Sequence, residues 1–303
     1  MIETIIPGNW SEYELIDSGG LEKLERFGKY ILIRHEPQAV WSKALPGQEW
    51  EKRAHARYHR FKGIDPGKTE IPEKGEWIRK KEMPDQWVID YRFREMILKF
   101  RLGLTAFGHV GVFPEQAVNW DFIWRFITSQ EPRKRTGFRV LNLFAYTGGA
   151  SFAAKAAGAD VVHVDSVKNV VSWGREMMEI SGLSGIRWVV EDALKFVGRE
   201  VKRGNTYSGI VLDPPAYGRG PEGEKWILQE SLNEMIGHCS RLLNRDNSFF
   251  VFSLYSMGFS ALIADSLVTT HFGECREKTK GELYFRDTAG RNLPLGTFLQ
   301  ATF

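Results

Sequence analysis

Val211-Leu212-Asp213-Pro214-Pro215-Ala216-Tyr217-Gly218 is the stretch on which the fold turns. Two apolar strand-formers run into an acid and then into two prolines. Proline has no N–H to give to a sheet ladder, so a strand that starts near residue 208 must end at Asp213. The two rings hold the residues that follow extended. They leave Asp213 at the carboxyl end of a strand, the edge at which open α/β sheets bind ligands. Taken alone, the same residues also describe a tight surface turn after a buried strand.

Outward from this turn, strands and helices alternate. Residues 139–144, 160–165, 186–191, 208–213 and 248–254 read as strands, and 150–157, 168–181, 194–202, 224–243 and 258–268 as helices. Strands apolar on both faces and separated by helices predict a doubly wound, mostly parallel sheet. Residues 273–280, 283–285 and 297–303 look like strands with no helix between them, an antiparallel hairpin that closes the sheet. An amphipathic helix over 116–127 and a linker over 129–135 lead in. Before about residue 115 the pattern differs. Residues 30–33 and 87–91 read as strands, 96–102 alternates with period two, and 62–74, with two prolines and two glycines, reads as a loop. The expected division is a small α+β domain over 1–114, suited to substrate recognition, and a catalytic domain over 115–303.

Composition limits the function classes. The chain has 303 residues, a net charge of +3 and two cysteines, Cys239 and Cys275. No run approaches the roughly 18 apolar residues of a membrane helix. The start, Met1-Ile2-Glu3-Thr4, has neither the basic nor the apolar part of a secretory signal. Neither cysteine has metal-ligand spacing, so no structural zinc or disulfide framework is expected. A cytoplasmic protein with free thiols is the expectation. Positive charge is local. Lys52, Arg53, Arg57, Arg60 and Lys62 occur with His55, His59, Tyr58 and Phe61, and Arg133-Lys134-Arg135 forms a second cluster. Such stretches grip phosphates and stack on bases, or they are a solvated helix face and a linker.

The strand ends carry the chemistry. The first strand runs into Phe144-Ala145-Tyr146-Thr147-Gly148-Gly149, and paired glycines let a loop approach a ligand closely before a helix opens. The second ends at Asp165, where a carboxylate can accept from two ribose hydroxyls. Asp192 follows the third, in reach of an adenine amino group, and Asp213 follows the fourth. A dinucleotide is the rival ligand, but the glycines are adjacent and G-x-G-x-x-G is not met. S-adenosylmethionine carries an adenosine, a sulfonium and an amino acid, and no phosphate. Acids at successive strand ends suit it, with Asp213 or Glu115 for the cationic part.

Four stretches now carry a resemblance: R-V-L-N-L-F-A-Y-T-G-G-A-S (139–151), V-V-H-V-D (161–165), E-D-A (191–193) and V-L-D-P-P-A-Y-G (211–218). They resemble the class I S-adenosylmethionine-dependent methyltransferases, whose D-P-P-aromatic turn marks enzymes that methylate amino groups or bases. They are most similar to the branch with large-subunit ribosomal RNA methyltransferases for cytosine carbon-5 and guanine nitrogen-7. G-H-V-G-V-F-P-E-Q-A-V-N-W (108–120) resembles that branch's lead-in to its catalytic domain. The resemblance covers residue 102 onward well and the N-terminal part more loosely. It implies a Rossmann-like methyltransferase sheet with S-adenosylmethionine as cofactor. The implied cofactor shell is Phe144, Ala145, Tyr146, Thr147, Gly148 and Gly149, with Asp165, Ser166, Asp192 and Ala193. Phe113, Glu115 and Gln116 would close over the methionine end. Asp213, Pro214, Pro215 and Tyr217 would face the methyl acceptor.

Two departures matter. Branch members often begin with a small RNA-binding barrel, for which this chain has no room beside its α+β half. Carbon-5 methylation needs a cysteine nucleophile that adds to the ring. The branch places it after the fifth strand, where this chain reads Phe252-Ser253-Leu254-Tyr255-Ser256. The expectation is therefore methylation of a nitrogen, with RNA as substrate and no metal. The other readings are a methyltransferase for a small molecule or protein side chain, a non-catalytic RNA-binding factor with this fold, and an NAD-dependent oxidoreductase.

Overall fold

The structure is a computed structural model that describes residues 1–61, 75–131, 137–255 and 258–303. The predicted loop over 62–74 and the cluster Arg133-Lys134-Arg135 lie outside the described residues. The N-terminal part runs β1 (Glu3–Ile5), β2 (Tyr13–Gly19), β3 (Glu22–Phe27), β4 (Tyr30–His35), α1 (Gly47–Arg53), β5 (Ala56–Arg60) and β6 (Gly75–Arg79), then the hairpin β7 (Gln86–Phe93) and β8 (Met96–Gly103). A short 3-10 turn, Pro114–Gln116, opens α2 (Ala117–Thr128). The alternating part follows: β9 (Arg139–Leu143), α3 (Gly149–Ala156), β10 (Asp160–Asp165), α4 (Lys168–Ile180), β11 (Ile186–Val190), α5 (Ala193–Lys202) and β12 (Gly209–Leu212). The small strands β13 (Tyr217–Arg219) and β14 (Lys225–Ile227) precede α6 (Leu228–Leu242), β15 (Phe249–Leu254), α7 (Ala261–Phe272), β16 (Glu277–Arg286) and β17 (Asn292–Thr302).

The large sheet has eight strands in the order β1-β16-β17-β15-β12-β9-β10-β11. Strands β15, β12, β9, β10 and β11 pair in parallel, and β17 is antiparallel to both β15 and β16. Alternate residues of each parallel strand enter different cores, as the pleat requires. Val140, Val161, Val211 and Val251 pack with α2, α3 and α4, whereas Leu141, Val162, Ile210 and Phe250 pack with α5, α6 and α7. The doubly wound, mostly parallel sheet with an antiparallel closing strand is thus the fold.

Three element assignments change. Residues 225–227, expected inside a helix, form β14 and pair with β13, so α6 starts at Leu228. The two short strands expected over 273–285 are one strand, β16, with a register shift between Glu282 and Tyr284. That shift, and Gly281, whose missing Cβ would meet the Glu3 carbonyl oxygen at 1.8 Å, made one strand read as two. Helix α7 begins at Ala261 rather than 258 and runs on to Phe272.

The N-terminal strands are tied to the sheet at several points. β1 pairs in parallel with β16. The hairpin β7–β8 packs on α3 and α4, with Phe100 stacked on Trp120 of α2 at 5.1 Å between centroids. The Ser181 hydroxyl at the end of α4 bonds both backbone groups of Lys99. The turn between β16 and β17 reaches β2, where the Ser18 hydroxyl donates to Asp287 at 2.8 Å.

Candidate active site

The loop after β9 is held from beneath by buried polar groups. The Asn142 amide donates to the Ser151 hydroxyl at 2.9 Å, and that hydroxyl meets His163 Nδ1 at 3.0 Å. These bonds fasten the first turn of α3 to β9 and β10. Above them the chain turns sharply, with φ of 52° at Phe144, 51° at Tyr146 and 104° at Gly148. Positive φ strains the two aromatic residues and suits the glycine. Gly149 acts differently from the expected approach to a ligand. A Cβ there would meet the Trp120 ring at 2.4 Å, so this glycine lets α3 pack against α2. Asp165 braces the loop: its carboxylate accepts from the backbone N–H of Tyr146 at 2.8 Å and of Val167 at 2.9 Å. Thr147 faces inward, its hydroxyl donating to the Gly111 carbonyl oxygen at 2.8 Å.

Phe144, Asp165, Ser166, Asp192, Ala193 and Pro215 line one cleft at the carboxyl ends of β9, β10, β11 and β12. Gly218, Arg219 and Trp226 complete it, and the sequence reading missed all three. Trp226 was hidden in what read as the apolar face of a helix. It is almost fully buried, its indole N–H donates to the Pro215 carbonyl oxygen at 2.7 Å, and its ring lies 4.7 Å from Phe144. The tryptophan therefore locks the proline turn to the glycine loop. The lining holds two acids and a single arginine. The two acids suit an adenosine and a cationic group, and their charge opposes a pyrophosphate.

Asp192 is the N-cap of α5, its carboxylate accepting from the Lys195 N–H at 2.8 Å. Asp192→Ala is expected to lower stability by about 1 kcal/mol in urea unfolding, while Asp192→Asn, an equally good cap, holds it.

Asp213 stands immediately after β12. Its carboxyl has no hydrogen-bond partner among the described residues, and burial pushes it up to about 7. Pro214 is buried, Pro215 and Ala216 are exposed, and Tyr217 is 42% exposed at the start of β13. Tyr217 is not among the residues that line the cleft with Asp165 and Asp192. Ala145 and Gly148 are buried in the loop behind it.

The lead-in turn lies on the side of the N-terminal sheet. Phe113 packs on Tyr146 at 5.1 Å and on His109 at 5.1 Å. Gln116 accepts from the Asn119 amide at 2.7 Å and from the Ser253 hydroxyl at 3.3 Å, which ties α2 to the end of β15. Glu115 is 7% exposed, and burial pushes its carboxyl up to about 7 against the pull of Lys23. Cys239 is buried in α6, and Cys275 precedes β16 rather than lying in a strand. Both thiols are pushed up by burial. Among the described residues no group of three or more His, Cys, Asp or Glu is arranged to hold a metal, and no helix is long and apolar enough to cross a membrane.

The family model for S-adenosylmethionine-dependent methyltransferases matches residues 72–247. A crystal structure of the SAM-dependent methyltransferase from Agrobacterium tumefaciens is 34% identical, covers 99% of this chain and 93% of its own, and superposes with a TM-score of 0.86. The ribosomal RNA large subunit methyltransferase K/L of Shewanella frigidimarina is 26% identical over 80% of this chain and 35% of its own length. The ribosomal RNA large subunit methyltransferase I of Aeromonas hydrophila is 32% identical over 40% of this chain and 28% of its own. The chain thus spans about a third of the length of these two curated relatives. With a family model over more than half of its residues and a 34% identical structure along nearly all of them, this chain belongs to the S-adenosylmethionine-dependent methyltransferases.

Proposed function

We propose that this methyltransferase acts on a nitrogen of an RNA base, with ribosomal RNA as the foremost substrate. The observation that carries the nitrogen reading is Asp213: a carboxyl without a protein partner among the described residues, at the end of β12 and next to a rigid proline turn. S-adenosylmethionine, when bound, supplies the activated methyl group. The cleft lined by Phe144, Asp165, Ser166, Asp192 and Ala193 suits its adenosine, and Glu115 and Gln116 are the residues proposed to close over its methionine end. The chain's own task is alignment and proton handling. The Asp213 carboxylate and the Pro214 carbonyl oxygen accept from an amino or imino N–H and aim the nitrogen lone pair at the methyl carbon. As the new N–C bond forms and the methyl–sulfur bond of the sulfonium breaks to leave a neutral thioether, the nitrogen that gains the methyl must lose a proton, and Asp213 is the base that takes it. Tyr217, exposed beside the turn, stacks on an unpaired base.

The names of the relatives support RNA as the substrate class, and so does part of the basic stretch. Arg57 is taken up by Glu22 and Glu51, but Lys52, His59, Arg60 and Phe61 remain exposed. The N-terminal sheet is the part suited to hold the RNA. The test is transfer of labelled methyl groups to ribosomal RNA from a strain that lacks this protein, followed by mass spectrometry of its nucleosides. One nucleoside gaining a methyl group on nitrogen is the expected result. A methyl group on carbon, or label found only in protein or small molecules, overturns it.

A further inference from the structure

The carboxyl end of β15 lies beside that of β12, since Leu212 pairs with Phe252 in parallel register. One residue on, Asp213 leaves β12. On the neighbouring strand Tyr255 follows Leu254 and is 45% exposed. Its hydroxyl donates to Glu36 at 2.6 Å, and the Gln38 side chain also reaches it. On the other side its ring lies against Gly296, where a Cβ would come within 3.6 Å of Tyr255 Cδ2. Glu36, at the end of β4, is 2% exposed and pairs with Lys23 of β3 at 3.2 Å. Lys23 also faces Glu25 at 3.5 Å, and Arg34 grips Glu25 with two bonds of 2.7 and 2.9 Å.

Burying four charges is unfavourable unless each is paired, and ion pairs of this kind are weak devices for stability alone. Here the series ends on a ring that stays half exposed just past the carboxyl end of β15, the strand beside β12. With its hydroxyl engaged, Tyr255 has its ring face left to offer. We infer that Tyr255 is the stacking platform for a planar, heteroaromatic methyl acceptor, and that the N-terminal sheet sets its angle through Glu36 and Lys23. This rests on the nucleobase reading above and assigns the second wall of that site. Tyr255 is a specificity-determining residue. Glu36 is a positioning residue that acts through it.

The test measures initial rates of labelled-methyl transfer to total ribosomal RNA and, separately, to the protein fraction of the same deletion strain, with cofactor affinity measured by calorimetry. Tyr255→Ala is expected to raise the apparent KM for the acceptor by about tenfold or more, with kcat and cofactor affinity changed much less. Tyr255→Phe and Tyr255→Trp keep a ring face and should restore most of the loss. Glu36→Gln should raise KM less than Tyr255→Ala and add nothing to it in the double variant. An acceptor KM within twofold of wild type in Tyr255→Ala overturns the inference. So does a parallel loss of cofactor affinity, or a Tyr255→Phe variant as impaired as Tyr255→Ala. Label in protein alone overturns the nucleobase reading, while the KM ratios still decide whether Tyr255 faces the acceptor. Absence of label from both fractions with wild type removes the acceptor site and this wall with it.

Discussion

Asp213→Ala is expected to lower kcat by about 10²–10⁴-fold, the range of a positioned acid–base group. The proline turn and Trp226 do not depend on this side chain, so the fold and the cleft should persist. The pH dependence is the sharper signature. Burial pushes the Asp213 carboxyl up to about 7, and the carboxylate is the form that accepts a proton. Wild-type kcat/KM should therefore rise through about pH 7 and level off above it. Asp213→Asn keeps an acceptor oxygen but not the base, so it should be slower and lack that rise.

Stability must run the other way. The folded pKa lies above the unfolded value, about 3.9 for an aspartate. The contribution of the neutral carboxyl is fully present below the unfolded value and is lost as pH rises through about 7. Asp213→Asn should thus be more stable than wild type at pH 8 and no more stable at pH 4, as read from urea unfolding. Full activity in Asp213→Ala, or the same pH profile in wild type and Asp213→Asn, would remove the proposed role.

Arg34→Leu is expected to cost about 3–5 kcal/mol at neutral pH, the loss typical of a buried charge deprived of its partner. Glu25 is fully buried and is held by Arg34, by Lys23 and by the Tyr13 hydroxyl at 2.8 Å. Burial pushes its carboxyl up, but Arg34, Lys23 and the hydrogen bonds outweigh burial and hold it below the usual carboxylate range. A depressed folded pKa gives stability that is present above the unfolded value and lost as pH falls through the folded one. Wild type should therefore weaken in acid. In Arg34→Leu the carboxyl is no longer held down, and protonation relieves the buried charge. The gap between variant and wild type should narrow from pH 7.5 to pH 4.5. A gap that stays constant would show that lost packing, not charge, carries the effect. Arg34 also donates to the Gly108 carbonyl oxygen at 3.3 Å, next to His109, which packs on Phe113 and Tyr146 in the lead-in and glycine loops. Reduced cofactor affinity is expected to accompany the loss.

The alternating half was legible because its signals are local. A strand must end where two prolines remove its donors, and Asp160–Asp165 carries three valines that serve both faces of one short run. Local signals failed at β13 and β14, because Trp226 serves a helix face and a buried strand equally well. They failed at β16, where a register shift broke the period-two pattern. Asp165 was found from its place after the second strand. That its carboxylate braces the Tyr146 and Val167 N–H groups depends on a turn geometry that residue spacing does not carry.

The order of strands and the acids at their ends follow from chain-local chemistry: periodicity, proline's missing donor and glycine's freedom at positive φ. They suffice for the fold, the family and the strand-end residues Asp165, Asp192 and Asp213. What faces those ends depends on contacts between residues far apart in the chain. Lys23, Glu25, Arg34 and Glu36 carry nothing in sequence that separates them from ordinary surface charges. Only the packing of the N-terminal sheet over the carboxyl edge buries them and joins Glu36 to Tyr255, 219 positions away. Burial and charge pairing belong to the assembled interior. That interior, rather than any motif, decides what meets the chain just past the carboxyl end of β15.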